Sequence, residues 1–136
     1  MGLLVDTSVM VRIEREETPL DNFIDSLRGE DAAISAITAS ELLVGVLQAA
    51  PDSRRMRREA FVEYVIERFP VLPMDMAVAR AHARLWTELR AAGTMIGLHD
   101  LIIAATAVAN AHVVLTDIVR EFSHVQGLDV RPGSPP

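Results

Sequence analysis

The chain has 136 residues, half of them hydrophobic, with 13 basic and 19 acidic side chains and a formal net charge of −6 at pH 7. That is the length of one domain with apolar material for one core, which excludes a disordered chain, and its acidity excludes a protein that grips nucleic acid through a basic face alone. Cysteine is absent and every basic residue is Arg, which removes disulfides, thiolate nucleophiles and cysteine-based metal sites and fits a reducing compartment.

The opening Met-Gly-Leu-Leu-Val-Asp has no basic segment and meets Asp6 too soon for a signal peptide. The most apolar stretch, Leu101 to Ala109, is far short of the roughly 18–20 residues that span a bilayer. A soluble, cytoplasmic protein is expected.

Leu3-Leu4-Val5, ending at Asp6, reads as a buried parallel strand. Thr7 to Glu14 follows as a short helix, and Pro19 starts a second that runs to Gly29. Ala33-Ile34-Ser35-Ala36 is a weaker strand. Thr38-Ala39-Ser40-Glu41 fits a capping box that opens a helix from Leu42 to Ala50. Pro51-Asp52 breaks it, and another helix runs from Ser53 to Phe69. Pro70-Val71-Leu72-Pro73 is a short strand, and Asp75 caps a long helix that Gly93 stops after Ala92. Leu98 to Ala111, apolar nearly all round, is a helix buried in the core. Val113-Val114-Leu115-Thr116 is a buried strand, followed by a short helix near Ile118 to Phe122, an edge strand at Leu128-Asp129-Val130 and a loop. Strands alternating with helices predict an α/β protein with a mainly parallel sheet: one domain over residues 1–130 and a flexible tail over 131–136.

Ligands bind such sheets at the carboxyl ends of the strands, near the point where strand order reverses. Four acids lie at such places: Asp6 after the first strand, Glu41 at a helix start after the second, Asp100 at the start of the buried helix, and Asp117 after Thr116. Apolar neighbours hold their backbones in the core, and a carboxylate there is costly unless paired, hydrogen-bonded or metal-bound. No Lys or Arg is adjacent to any of the four, so a divalent cation is the economical counter-charge, and hard oxygen ligands favour Mg2+ or Mn2+ over zinc. Each acid also has an ordinary role available: Asp6, Asp100 and Asp117 as helix N-caps, Glu41 as the second member of its capping box.

His82, His99, His112 and His124 form no pair at metal-ligand spacing, and only His99 stands beside a candidate acid. Arg54, Arg55, Arg57 and Arg58 are the one dense basic cluster, read as a solvated helix face or a contact for RNA or a protein partner. Trp86 with Leu85 and Leu89 reads as core or as a surface between copies.

Three motifs resemble the PIN domain, and more narrowly the VapC toxins of VapBC toxin–antitoxin modules: Leu3-Leu4-Val5-Asp6-Thr7-Ser8-Val9, Thr38-Ala39-Ser40-Glu41-Leu42-x-x-Gly45, and Ile96-Gly97-x-x-Asp100-x-x-Ile103-Ala104-Ala105. Leu115-Thr116 and Val119-Arg120-Glu121-Phe122 resemble the family's closing motif, so the likeness runs from about Gly2 to Leu128. It implies a Rossmann-like three-layer α/β/α sandwich, Mg2+- or Mn2+-dependent ribonuclease activity, homodimerisation, an assembly with a cognate VapB-type antitoxin, and inhibition by it. Asp6, Glu41 and Asp100 match the family's acids, with Asp6 and Asp100 as principal metal ligands and Glu41 acting on the attacking water or ligating through one. Thr7, Ser8 and Thr116 match its supporting hydroxyls.

One departure stands out. The family commonly carries its polar residue two positions beyond the Thr, whereas here Thr116 is followed by Asp117 and Ile118. A one-residue shift turns a helical side chain by about 100°, so Asp117 is expected to be peripheral to a core of three acids. Two alternatives remain from the residues alone: a non-catalytic PIN-like interaction module, or a Mg2+-dependent phosphatase-like domain. The intact acids weigh against the first. The second is weakened because Asp6 is followed by Thr7-Ser8 rather than by the x-Asp of a phosphatase loop, and because a receiver-type domain needs a Lys.

Overall fold

The computed structural model describes residues 2–134. In chain order the elements are β1 (Leu3–Val5), α1 (Thr7–Arg15), α2 (Leu20–Ser26), β2 (Ala32–Ser35), α3 (Ala36–Leu47), α4 (Asp52–Arg68), β3 (Val71–Leu72), α5 (Met76–Ala92), α6 (Leu98–Ala109), β4 (Val113–Thr116), α7 (Val119–Phe122) and β5 (Val130–Pro132). The five strands form one sheet in the order β3-β2-β1-β4-β5, and every pairing is parallel. The α/β/α expectation holds.

Successive strand residues point to opposite faces, and the two core clusters follow that alternation. Leu4, Ala33 and Val114 pack with α5, α6 and α7 through Leu85, Leu101, Ala104 and Phe122. Val5, Ile34 and Leu115 pack with α1 to α4 through Val9, Met10, Leu42 and Val65. A sheet covered on both faces needs continuous apolar strands, which Leu-Leu-Val and Val-Val-Leu provide. Strand order reverses between β1 and β4, where Val5 lies opposite Leu115. Asp6 and Thr116 therefore emerge side by side at the carboxyl edge of the sheet.

Several boundaries differ from expectation, among them the end of α3 at Leu47 rather than Ala50. Ala36 belongs to α3, not to β2, and α3 starts before the expected capping box. Its cap is Ser35, whose hydroxyl oxygen accepts from the Thr38 N–H at 3.1 Å. Ser35 is the last residue of β2 to pair with β3, so the chain is free to turn at Ala36. Thr38 is then inside the helix and Glu41 in its second turn, which removes the capping role for Glu41. The second helix ends at Ser26 rather than Gly29. The closing strand is Val130–Pro132, so Arg131 and Pro132 extend the sheet, where the expected tail was loop. Residues 135 and 136 of that tail lie outside the described residues. Asp75 caps α5 as expected, accepting from the Val78 N–H at 3.0 Å, and Gly93 closes it at φ 71°, a left-handed conformation that suits glycine.

Ser35→Ala removes a fully buried cap from the helix that carries Glu41. It is expected to lower stability by about 1–2 kcal/mol, read as a lower urea midpoint at unchanged slope. A loss within a few tenths of a kcal/mol would mean that α3 is capped otherwise.

Candidate active site

Asp6 occupies the N-cap position of α1, but its side chain makes no cap hydrogen bond. Its side chain is only 1% exposed, and its Oδ2 accepts from the hydroxyls of Ser8 at 2.6 Å and Thr116 at 2.8 Å. Both hydroxyls are aimed by backbone amides, because Ser8 Oγ accepts from Asp117 N–H at 3.1 Å and Thr116 Oγ1 from Ile118 N–H at 3.0 Å. Each hydroxyl has one proton, and the backbone donors turn it toward the carboxylate. Among the described residues nothing donates to Asp6 Oδ1, which stays free for another partner.

Glu41 is reached from α1. Thr7 Oγ1 donates to Glu41 Oε1 at 2.7 Å and lies 3.0 Å from Thr38 Oγ1. Ser35 Oγ donates to Thr38 Oγ1 at 3.1 Å. A row of three hydroxyls thus joins β2, α3 and α1 and fixes one oxygen of Glu41. The other, Oε2, stands 3.3 Å from His99 Nδ1, an ion pair whenever the imidazole is protonated.

Asp100 lies in the first turn of α6, whose cap residue is Gly97, so it is not the cap the sequence allowed. Its carboxyl group is raised from 3.8 to about 6, first by burial and then by the charges of Asp6, Glu121 and Glu41, with His99 acting in the opposite direction. Gly97 makes room for it, since a Cβ there would lie 3.2 Å from Asp100 Oδ2. Glu121, which the sequence reading placed in the closing motif but not among the candidate acids, accepts from the Gly97 N–H at 3.0 Å and so ties α7 to the start of α6. Its signal was present: an acid beside the buried Phe122, just beyond the carboxyl end of β4.

Asp117 is elsewhere. Its carboxylate accepts from Arg12 Nε at 2.6 Å, and that hydrogen bond is the first cause of a raised Arg12 pKa. Arg12 also donates to the Gly133 carbonyl at 3.2 Å. The sequence had shown no Arg adjacent to this acid. The fold supplies one from 105 residues away, so Asp117 neither caps α7 nor lacks a counter-charge.

The charges of Asp6, Glu121 and Glu41 thus all act on Asp100, a repulsion among hard oxygen donors that a divalent cation would relieve. Among the described residues no three Asp, Glu or His side chains already stand together as a ligand set. An ion here would take few protein oxygens and keep water in its shell, as Mg2+ commonly does. The residues fit such an ion.

Residues 3–124 match the PIN domain family model. The chain belongs to the PIN domain family. Over 130 residues it is 37% identical to Ribonuclease VapC1 of Rickettsia felis, covering 96% of this chain and 95% of that protein. Over 113 residues it is 39% identical to Ribonuclease VapC4 of Mycobacterium tuberculosis, covering 83% of each. The structure of DNA-bound VapBC from Salmonella typhimurium superimposes with a TM-score of 0.88 at 27% identity, over 98% of this chain and 99% of that one. FitAcB from Neisseria gonorrhoeae gives 0.82 at 28% identity, over 96% and 97%. This PIN domain is therefore of the VapC type. Among its described residues no helix is long and apolar enough to cross a membrane.

The raised Asp100 makes the stability of this PIN domain pH-dependent. The folded chain holds the Asp100 proton more tightly than the unfolded chain. Its contribution is therefore fully present below pH about 4 and is lost as pH rises through about 6. Without divalent metal, Asp100→Asn is expected to gain stability relative to wild type between pH about 4 and about 7, read as diverging denaturation midpoints. Parallel midpoints across that range would show that Asp100 is not strained by its neighbours.

Proposed function

We propose that this chain, a single domain that includes β5 through Pro132, is the toxin of a type II toxin–antitoxin pair. It would be an endoribonuclease, dependent on Mg2+ or Mn2+, that hydrolyses RNA phosphodiester bonds and is inhibited by a cognate VapB-type antitoxin. The observation that carries the reading is the buried Asp6 at the β1–β4 reversal, held by Ser8 and Thr116 on one oxygen, whose charge together with that of the Thr7-bound Glu41 raises the Asp100 pKa. Relatives named as ribonucleases at 37% and 39% identity support the activity, and the VapBC structure from Salmonella typhimurium supports the partner.

In this reading Asp6 and Asp100 would hold the ion. When bound, the cation lowers the pKa of a water and stabilises charge on the phosphoryl oxygens. Asp6 offers Oδ1, because Ser8 and Thr116 occupy Oδ2. Asp100 would ligate as its carboxylate, the form that prevails above pH about 6, and a bound cation would offset the charges of Asp6, Glu121 and Glu41 around it. Glu41 orients or deprotonates the attacking water through Oε2, since Thr7 holds Oε1. His99, beside that oxygen, is positioned to share the proton Glu41 receives. Thr7, Ser8 and Thr116 position the carboxylates, and Asp117 stays with Arg12.

The antitoxin is expected to present an arm with apolar anchors and a basic residue. A cleft of about 120 Å3 lined by Met10, Val11, Leu42, Phe61 and Val62 includes Glu41, so an apolar seat lies beside that acid. Homodimerisation belongs to the same reading. Met74, Met76 and Trp86, on and before α5, leave apolar surface for a second copy to cover.

Asp6→Asn and Asp100→Asn are each expected to abolish RNA cleavage at saturating Mg2+, by about a hundredfold or more, while the circular dichroism of the fold is retained. Asp117→Ala is expected to cost less than about tenfold, because it removes a salt bridge outside the acid cluster. Full cleavage by either Asn variant, or an Asp117→Ala loss equal to that of Asp6→Asn with the fold intact, would overturn the assignment.

A further inference from the structure

Arg54, Arg55, Arg57 and Arg58 all lie on the first two turns of α4. Cations near a helix N-terminus oppose its dipole, and like charges three and four residues apart repel. The helix would be more stable without this cluster. Two of the four are engaged: Arg58 pairs with Glu14 at 3.0 Å, and Arg55 donates to the Ala49 carbonyl at 3.4 Å. Arg54 and Arg57 are exposed, and among the described residues neither they nor Arg15 has a carboxylate within ion-pair distance.

Arg15, Arg54 and Arg57 line one cleft of about 800 Å3 where α1 and α2 face α4, and its apolar lining includes Ile13 and Phe61. Glu14 is neutralised by Arg58, so Glu17 is the one acid of that lining left to oppose three cations. The cleft is thus positive in a chain whose net charge is −6. It is also continuous with the apolar seat beside Glu41, since Glu14, Arg58 and Phe61 line both. A trough therefore runs from Glu41, past Phe61 and the Arg58–Glu14 pair that both clefts share, to the unpaired Arg15, Arg54 and Arg57.

We propose that the arginine end of this trough docks an acidic segment of a partner polypeptide, whose carboxylates meet Arg15, Arg54 and Arg57 while its apolar side chains cover the lining between. The inference rests on the toxin–antitoxin reading for the identity of the partner, and adds the charge by which this chain selects its own antitoxin. The apolar stretch decides for a polypeptide over RNA. A phosphate backbone has nothing to place on the exposed Val11 and the half-buried Phe61, whereas an amphipathic segment covers them. An antitoxin with basic residues at that end would meet like charge and be rejected.

The test uses the full chain and, as probe, the purified small protein encoded in the adjacent reading frame, with affinity measured at several salt concentrations. The double variant Arg54→Glu/Arg57→Glu is expected to bind it about tenfold or more weakly than wild type at low salt, and to lose most of the salt dependence. Replacing the partner's facing acids with Arg is expected to restore binding to the variant and weaken binding to wild type. Equal affinity and equal salt dependence for variant and wild type would overturn the inference while leaving the toxin–antitoxin reading in place. A wild-type chain that does not bind the probe would remove both. Weakened RNA cleavage by the free variant with unchanged affinity for the probe would assign the arginines to RNA and overturn the proposal.

Discussion

A carboxylate that is 1% exposed is the constraint around which this structure is arranged. Leaving Asp6 buried without partners would cost several kcal/mol, and the fold offsets that cost with two hydroxyls on one oxygen, from Ser8 and Thr116. Thr116 can reach it only if β4 lies beside β1 in the register that sets Leu115 opposite Val5. That register in turn needs the apolar strands Leu3–Val5 and Val113–Thr116 to be covered on both faces by helices. The hydrogen bond between residues 110 apart is therefore a product of the whole sandwich. It leaves one carboxylate oxygen free at the place where strand order reverses.

The other acids are fixed from different layers. Glu41 rides on α3, and α3 is set by the Ser35 cap and by the hydroxyl row through Thr38 and Thr7. Asp100 rides on α6, the most buried helix, with Gly97 leaving space behind its carboxylate and Glu121 holding the Gly97 amide. The packing that buries α6 thus raises the Asp100 pKa, and the crowding of Asp6, Glu121 and Glu41 raises it further. In the proposed function that stored repulsion is what a cation relieves. Asp117 shows the converse: an acid with an arginine already on it has little to offer a metal.

Much of this was legible from residues alone, where the signal is local. Leu-Leu-Val ending at an Asp marks a buried strand and its carboxyl edge. The Asp75 cap and the Gly93 stop mark α5, and the apolar run after Asp100 marks a core helix. The same logic placed Asp6 and Thr116 at one edge of the sheet, where the structure joins them. What was not legible is either ambiguous locally or entirely non-local. Thr38-Ala39-Ser40-Glu41 has the spacing of a capping box, and nothing in that tetrapeptide reveals that Ser35 has already capped the helix one turn earlier. The Arg12–Asp117 pair and the Glu121–Gly97 contact join segments far apart in sequence, so no window contains both partners. The closing edge strand was legible at Leu128-Asp129-Val130 but lies two residues later, at Val130–Pro132, because a short polar strand containing a proline leaves its bounds unmarked.

In the proposed function Asp6, held by Ser8 and Thr116, and Asp100 together form a divalent-cation site. Electron paramagnetic resonance of free Mn2+ tests it most directly, because bound ions drop out of the signal of the hydrated ion whether or not any RNA is cleaved. Titrating Mn2+ into the full chain at neutral pH is predicted to show uptake by wild type and its loss in Asp6→Asn. The Asp117→Ala chain is predicted to take up the ion as wild type does. Equal uptake by wild type and Asp6→Asn, or none by wild type, would contradict the account.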